Sequence, residues 1–180
     1  MKIFNPNETI EWEIISDFYG DKTAARSKVP LINHIKEGLI ILDKIDASTC
    51  AKRAFMIHPL IQSNFYLKHN FDDLLTKLDI KVISLALEYR NIANQFLSDK
   101  LDFILEHDLL CVSAIQSSPL KDVNDMLIAD KVQNKKDFML HLDGRDDVTN
   151  SHILKLYFNM WLDVLQISEL KYNELVKHIS

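Results

Sequence analysis

Apolar residues recur at three- and four-residue intervals along most of this chain, the period of helices that turn one face inward. Thr9 to Tyr19 carries Ile10, Ile14, Ile15 and Phe18 on one side, follows a proline and stops at Gly20, which predicts a short first helix docked with help from Trp12. Pro30 suits the first turn of a second helix, whose Leu31, Ile35, Leu39, Leu42 and Ile45 share a face with His34 at its edge. After a break at Asp46 to Ser48, a third helix turns Ala47, Ala51, Ala54, Phe55 and His58 inward, and Pro59 kinks or ends it because proline lacks a backbone donor. Leu60 to Leu67 is expected as a separate turn or short helix, and Phe71 to Leu78 as another, capped by Asn70. Ile80 to Leu97 is the longest helix, with Val82, Ala86, Tyr89, Ala93 and Phe96 as its seam. Leu101 to Glu106 and Leu109 to Ile115 suit either helix or buried strand by composition; a lone strand lacks a partner, which favours helix. Ser118 is the expected cap of the helix that carries Asp130, and Leu142 to Asp147 a loop. Thr149 to Ser151 precede an amphipathic helix with Ile153, Leu156, Tyr157, Met160, Trp161, Val164 and Leu165, and Leu170 to Ile179 closes the chain. The pattern predicts an all-α, single-domain helical bundle over residues 1–180.

Composition agrees with long helices: 47% of residues are hydrophobic, and there are only three glycines and four prolines among 180 positions. The net charge of -5 argues against nucleic acid or anionic lipid as a partner of the whole surface, so any anion site is local. One local basic stretch exists, Asp21 to Val29, where Lys22, Arg26 and Lys28 stand against a single acid. It reads as a solvated connector or as a clamp for phosphate, with Arg26 the residue best shaped to bind an anion bidentately. Cys50 and Cys111 form neither a C-x-x-C pair nor a disulfide framework, no apolar run spans a membrane, and the N-terminal Asn5, Asn7, Glu8, Glu11 and Glu13 are unlike a signal peptide. A cytoplasmic location is expected.

The informative residues are polar ones on apolar faces. Val123, Leu127, Asp130 and Asn134 share one helical face, which turns the Asp130 carboxylate inward. A buried carboxylate needs a partner, a hydrogen bond or a metal, and His34 and His58 are the candidates to meet it. Two imidazoles and a carboxylate suit a divalent transition metal such as manganese, iron or zinc. The same three residues also suit a hydrogen-bonded network in the core of a plain helical interaction protein.

Three segments carry a family resemblance: Arg26-Ser27-Lys28-Val29-Pro30-Leu31-Ile32-Asn33-His34, Ala54-Phe55-Met56-Ile57-His58, and Leu127-Ile128-Ala129-Asp130-Lys131-Val132-Gln133-Asn134. Together they resemble the HD superfamily, most closely the ppGpp hydrolase domain of RelA/SpoT proteins. That domain has an arginine before a Pro-Tyr-x-x-His segment, a His-Asp pair on the next helix and a later Ala-Asp-Arg-x-x-Asn segment. The order is the same, and so is the 24-residue step between the histidines. The resemblance covers about residues 26–134 as an HD-like core, leaving C-terminal helices at about 149–179. It implies an HD-type bundle in which His34, His58 and Asp130 hold the metal, Arg26, Lys28 and Lys131 neutralise phosphates, and Asn134 shapes the pocket. The implied function is a metal-dependent phosphohydrolase acting on a nucleotide or other small phosphorylated ligand. The chain departs from the pattern where Pro59 replaces the HD aspartate and Gln62 and Ser63 replace an acidic pair that orients water. No residue is thereby assigned as the catalytic acid or base, although Glu37, Asp72, Asp73 and Glu88 are carboxylates that a fold could bring near. The alternative is a catalytically inactive HD-like module that binds a nucleotide or a protein.

Overall fold

A computed structural model describes residues 4–24, 27–95, 115–141 and 151–179. Arg26, Phe96, Leu97, Cys111, the expected segment Leu101 to Glu106, all of Leu109 to Ile115 except Ile115 itself, the expected loop at 142–147 and Thr149 lie outside the described residues. Within them the chain is all-α: eight α-helices, with a single antiparallel bridge between Thr23 and Pro30 as the one β contact.

The helices are α1 (Ile10–Tyr19), α2 (Leu31–Lys44), α3 (Thr49–Ile57), α4 (Asn64–Lys77), α5 (Ile80–Gln95), α6 (Lys121–His141), α7 (Ser151–Val164) and α8 (Glu169–Val176). Their starts follow the expected chemistry: Thr9 Oγ1 accepts from Trp12 N, Ser48 Oγ from Ala51 N, and Ser168 Oγ from Lys171 N. Gly20 ends α1 with φ 48°, and Pro59 ends α3 by forming a 3-10 turn over His58–Leu60. The inner face of α1 is Glu11, Ile15 and Tyr19, whereas Ile10 is exposed.

Two expectations need correction. Leu60 to Leu78 does not form two pieces, because α4 runs unbroken from Asn64. Ser63 is its cap, accepting from Tyr66 N at 3.0 Å, and Asn70 lies mid-helix with its amide donating to Leu60 O. Ser118 does not cap α6 directly: its hydroxyl accepts from Leu120 N and donates to Glu88, while the Asn124 carboxamide closes the turn on the Ser118 backbone.

The centre of the bundle is α6, which packs against α2, α3, α5, α7 and α8. Enclosure on several sides explains why Asp125, Asp130, Lys131, Gln133 and Lys136 are all buried alongside Val123, Met126, Leu127, Ala129, Val132 and Phe138. Apolar side chains from Ile15 in α1 to Ile179 near the end of the chain join one core cluster. No helix among the described residues is long and apolar enough to cross a membrane.

Candidate metal centre

Three elements deliver the polar cluster. His34 stands one turn into α2, His58 occupies the 3-10 turn forced by Pro59, and Asp130 sits midway along α6. His34 Nε2 is 3.4 Å from His58 Nε2 and 3.5 Å from Asp130 Oδ1, and the three ligand atoms all lie within 4.8 Å of one another. Ligands 3.4 to 3.5 Å apart can both reach an ion about 2.1 Å from each, the usual distance for imidazole nitrogen or carboxylate oxygen on a divalent transition metal. His58 and Asp130 are each 5% exposed, so the cluster is largely withdrawn from water.

The outer nitrogens decide what the inner ones can do. His58 Nδ1 donates to Phe55 O at 2.6 Å, and a carbonyl can only accept. His34 Nδ1 donates to Gln133 Oε1 at 2.7 Å. In a neutral ring a proton on Nδ1 leaves Nε2 a lone pair, and the two Nε2 atoms converge with Asp130 Oδ1 on one region. A cation suits such a place.

Asp130 is held on every side. Asn134 Nδ2 donates to Oδ1 at 2.8 Å and Lys131 Nζ pairs with Oδ2 at 2.8 Å. Burial alone pushes its pKa up, but Lys131, His34 and His58 outweigh that and hold it down to about 2. Burial and the neighbouring His34 bring His58 down to about 3, so it is neutral at ordinary pH. Burial raises Tyr89, and the nearby Asp130 charge adds to the effect. Lys131 is raised because the Asp130 charge overcomes the effect of burial, and its ammonium also meets Tyr157 OH at 3.2 Å and the face of Trp161.

The cluster opens into a cleft of about 450 Å3, a volume that suits a small ligand. His34, His58, Asp130, Lys131 and Asn134 share its walls with Tyr19, Leu31, Pro59, Tyr66, Tyr89 and Asp137. Lys28 is exposed in the turn before Pro30 and is not part of that wall, whereas Lys131 lines it with an ammonium already engaged. Gln62 and Ser63 line it too, but the Gln62 amide is spent on Asn94 and the Ser63 hydroxyl on the α4 cap. Of the carboxylates considered as substitutes, Glu88 takes the Ser118 hydroxyl, Asp72 and Asp73 lie on the exposed side of α4, and Glu37 bonds Gln133 and Lys136. Gln133 and Asp137 were not singled out in the sequence, and Tyr89 was expected only as part of the inner seam of α5, where it is indeed buried. Of the first two only Gln133 had a signal there, being three residues beyond Asp130 and so on the same turn of helix. A larger hollow of about 580 Å3, bounded by α6, α7 and α8, places Lys135 over the Tyr172 ring and contains no histidine. No protein-family model, no curated protein and no solved structure matches this chain.

Proposed function

We propose that this chain is an HD-like, metal-dependent phosphohydrolase with a modified site, holding manganese, iron or zinc on His34, His58 and Asp130 and acting on a nucleotide or another small phosphorylated ligand. The observation that carries the reading is the meeting of two Nε2 atoms, each with an acceptor opposite it on Nδ1, and one carboxylate oxygen from three separate elements. A divalent ion at such a place lowers the pKa of a water it holds and polarises a phosphoryl oxygen.

The residues around the cluster supply the rest. Lys131 already neutralises Asp130, so the two charges of an ion are not cancelled by its ligands and draw an anion into the cleft. Asn134 and Lys131 fix the two oxygens of Asp130 separately, which keeps Oδ1 turned to His34. Tyr66, Leu31 and Pro59 provide an apolar wall for the rest of a ligand. Arg26 remains the candidate phosphate clamp on the strength of the resemblance.

Metal analysis of protein purified without chelator or affinity tag tests this reading. Stoichiometric transition metal, lost on His58→Ala, is the expected result. Metal-free protein whose melting is unchanged by added manganese rules it out. A second reading, an HD-like binding module without turnover, is favoured by the residues at 59, 62 and 63, none of which can take a proton from water. Phosphate or pyrophosphate release from a nucleotide panel by the metal-loaded protein supports the first; nucleotide binding without release supports the second.

A further inference from the structure

We infer that Gln133 is a positioning residue that makes His34 a metal ligand, through a relay of carboxylate, carboxamide and imidazole entering the cluster from α2 and α6. The inference rests on the metal reading above. A neutral imidazole carries one proton, and a histidine in water prefers it on Nε2, the nitrogen that here faces His58 and Asp130. A proton there blocks coordination. Gln133 Oε1, 2.7 Å from Nδ1, draws the proton to the far side of the ring.

A carboxamide can do this only if it cannot turn over. Flipped, it would offer N–H to Nδ1 and impose the opposite tautomer. Glu37 and Asp137 prevent the flip: Gln133 Nε2 donates to Glu37 Oε2 at 3.0 Å and to Asp137 Oδ2 at 2.7 Å, and carboxylates accept only. Lys136 Nζ lies 2.7 Å from Glu37 and 2.9 Å from Asp137, balancing the two acids. Gln133 is 1% exposed and Lys136 6%, so the donors of these bonds are withdrawn from water, while Glu37 and Asp137 are partly buried. His58 needs no such device because a main-chain carbonyl fixes it. One turn of α6 therefore contributes a ligand, Asp130, and the group that prepares another.

Two measurements on the full chain test the role. Long-range 1H–15N NMR of the metal-free protein at alkaline pH reads the tautomer of His34 directly: the proton is expected on Nδ1 in the wild type and on Nε2 in Gln133→Met. Calorimetric titration with zinc and with manganese is expected to show affinity falling about 10- to 100-fold in Gln133→Met, the usual effect of removing a partner of a ligating histidine. Combining Gln133→Glu with Glu37→Gln and Asp137→Asn exchanges donor and acceptor at both of the relay's outer bonds and should restore affinity to within a few-fold. A filler of space gives no such rescue. A wild-type His34 proton on Nε2, or a Gln133→Met protein with unchanged tautomer and affinity, overturns the role of Gln133 even where metal binds. A wild type that binds neither ion overturns the metal reading, and the role with it.

Discussion

Asp130 serves two partners at once, one oxygen toward His34 and Asn134 and the other toward Lys131. The second duty dominates stability. Lys131 is 5% exposed, and without Asp130 its ammonium keeps only the Tyr157 hydroxyl and two aromatic faces. Breaking a buried ion pair from one side costs about 3–5 kcal/mol, whereas replacing both partners with apolar groups of similar volume is often close to neutral. Asp130→Ala is therefore expected to destabilise by about 3–5 kcal/mol in denaturant unfolding, and Asp130→Ala with Lys131→Met to recover most of the loss. Equal instability of the single and double variants would show that the stranded charge is not the cause. The comparison also separates stability from the proposed metal binding, since neither variant retains the carboxylate of that site.

Among the elements, α2 and α3 pack with Gly38 directly against the Phe55 ring, and a Cβ at position 38 would overlap that ring. Phe55 is fully buried, with His58 at 4.8 Å and His34 at 5.6 Å between ring centroids, so it has no free direction in which to retreat. Alanine is the better helix former by about 1 kcal/mol, yet overpacking a rigid core typically costs about 1–3 kcal/mol. Gly38→Ala is expected to lower thermal stability despite its propensity gain, and Phe55→Leu added to it to return part of the loss; a Gly38→Ala protein as stable as wild type would show that the crossing can give. This contact was invisible in the sequence, because a glycine inside a helix announces no partner. The boundaries at Gly20, Pro30, Ser48 and Pro59 were legible since each acts on its own backbone. Helix α4 was not: only Leu74 is buried along it while Phe65 and Leu75 face solvent, so no stripe marked its extent and Asn70 passed for a cap. The opposite condition blurred α6, where burial on several sides leaves Lys131, Gln133 and Lys136 looking like surface residues.

For the whole molecule, the meeting of His34, His58 and Asp130 was legible because each lies on or beside an inner face, and inner faces of one bundle converge. The relay through Gln133 and the commitment of Lys131 to Asp130 were not, since they depend on how side chains from different helices divide a few donors among more acceptors. The same cluster sets the response of the fold to acid. His58 is held near 3 by burial and by His34, against 6.5 in an unfolded chain. Below pH 6.5 the unfolded chain takes up a proton that the folded one refuses, so stability falls as pH drops from there toward 3. Asp130, held near 2 against 3.8, contributes stability that is complete above 3.8 and is lost as pH falls through 2. Tyr89 and Lys131 are both raised, so the folded form is favoured below their ordinary values of 10.0 and 10.5 and loses that advantage as pH climbs past them. Melting temperature is thus expected to be level from about pH 7 to 9.5 and to decline on either side, and His58→Asn to move the onset of the acid decline toward pH 4. An onset unchanged in His58→Asn would place the responsible group elsewhere. An ion held as proposed would sharpen the acid side further, because protons would compete with it for both imidazoles. Zinc or manganese should raise the melting temperature on the plateau and lose that effect as the medium is acidified, so curves with and without metal converge at low pH.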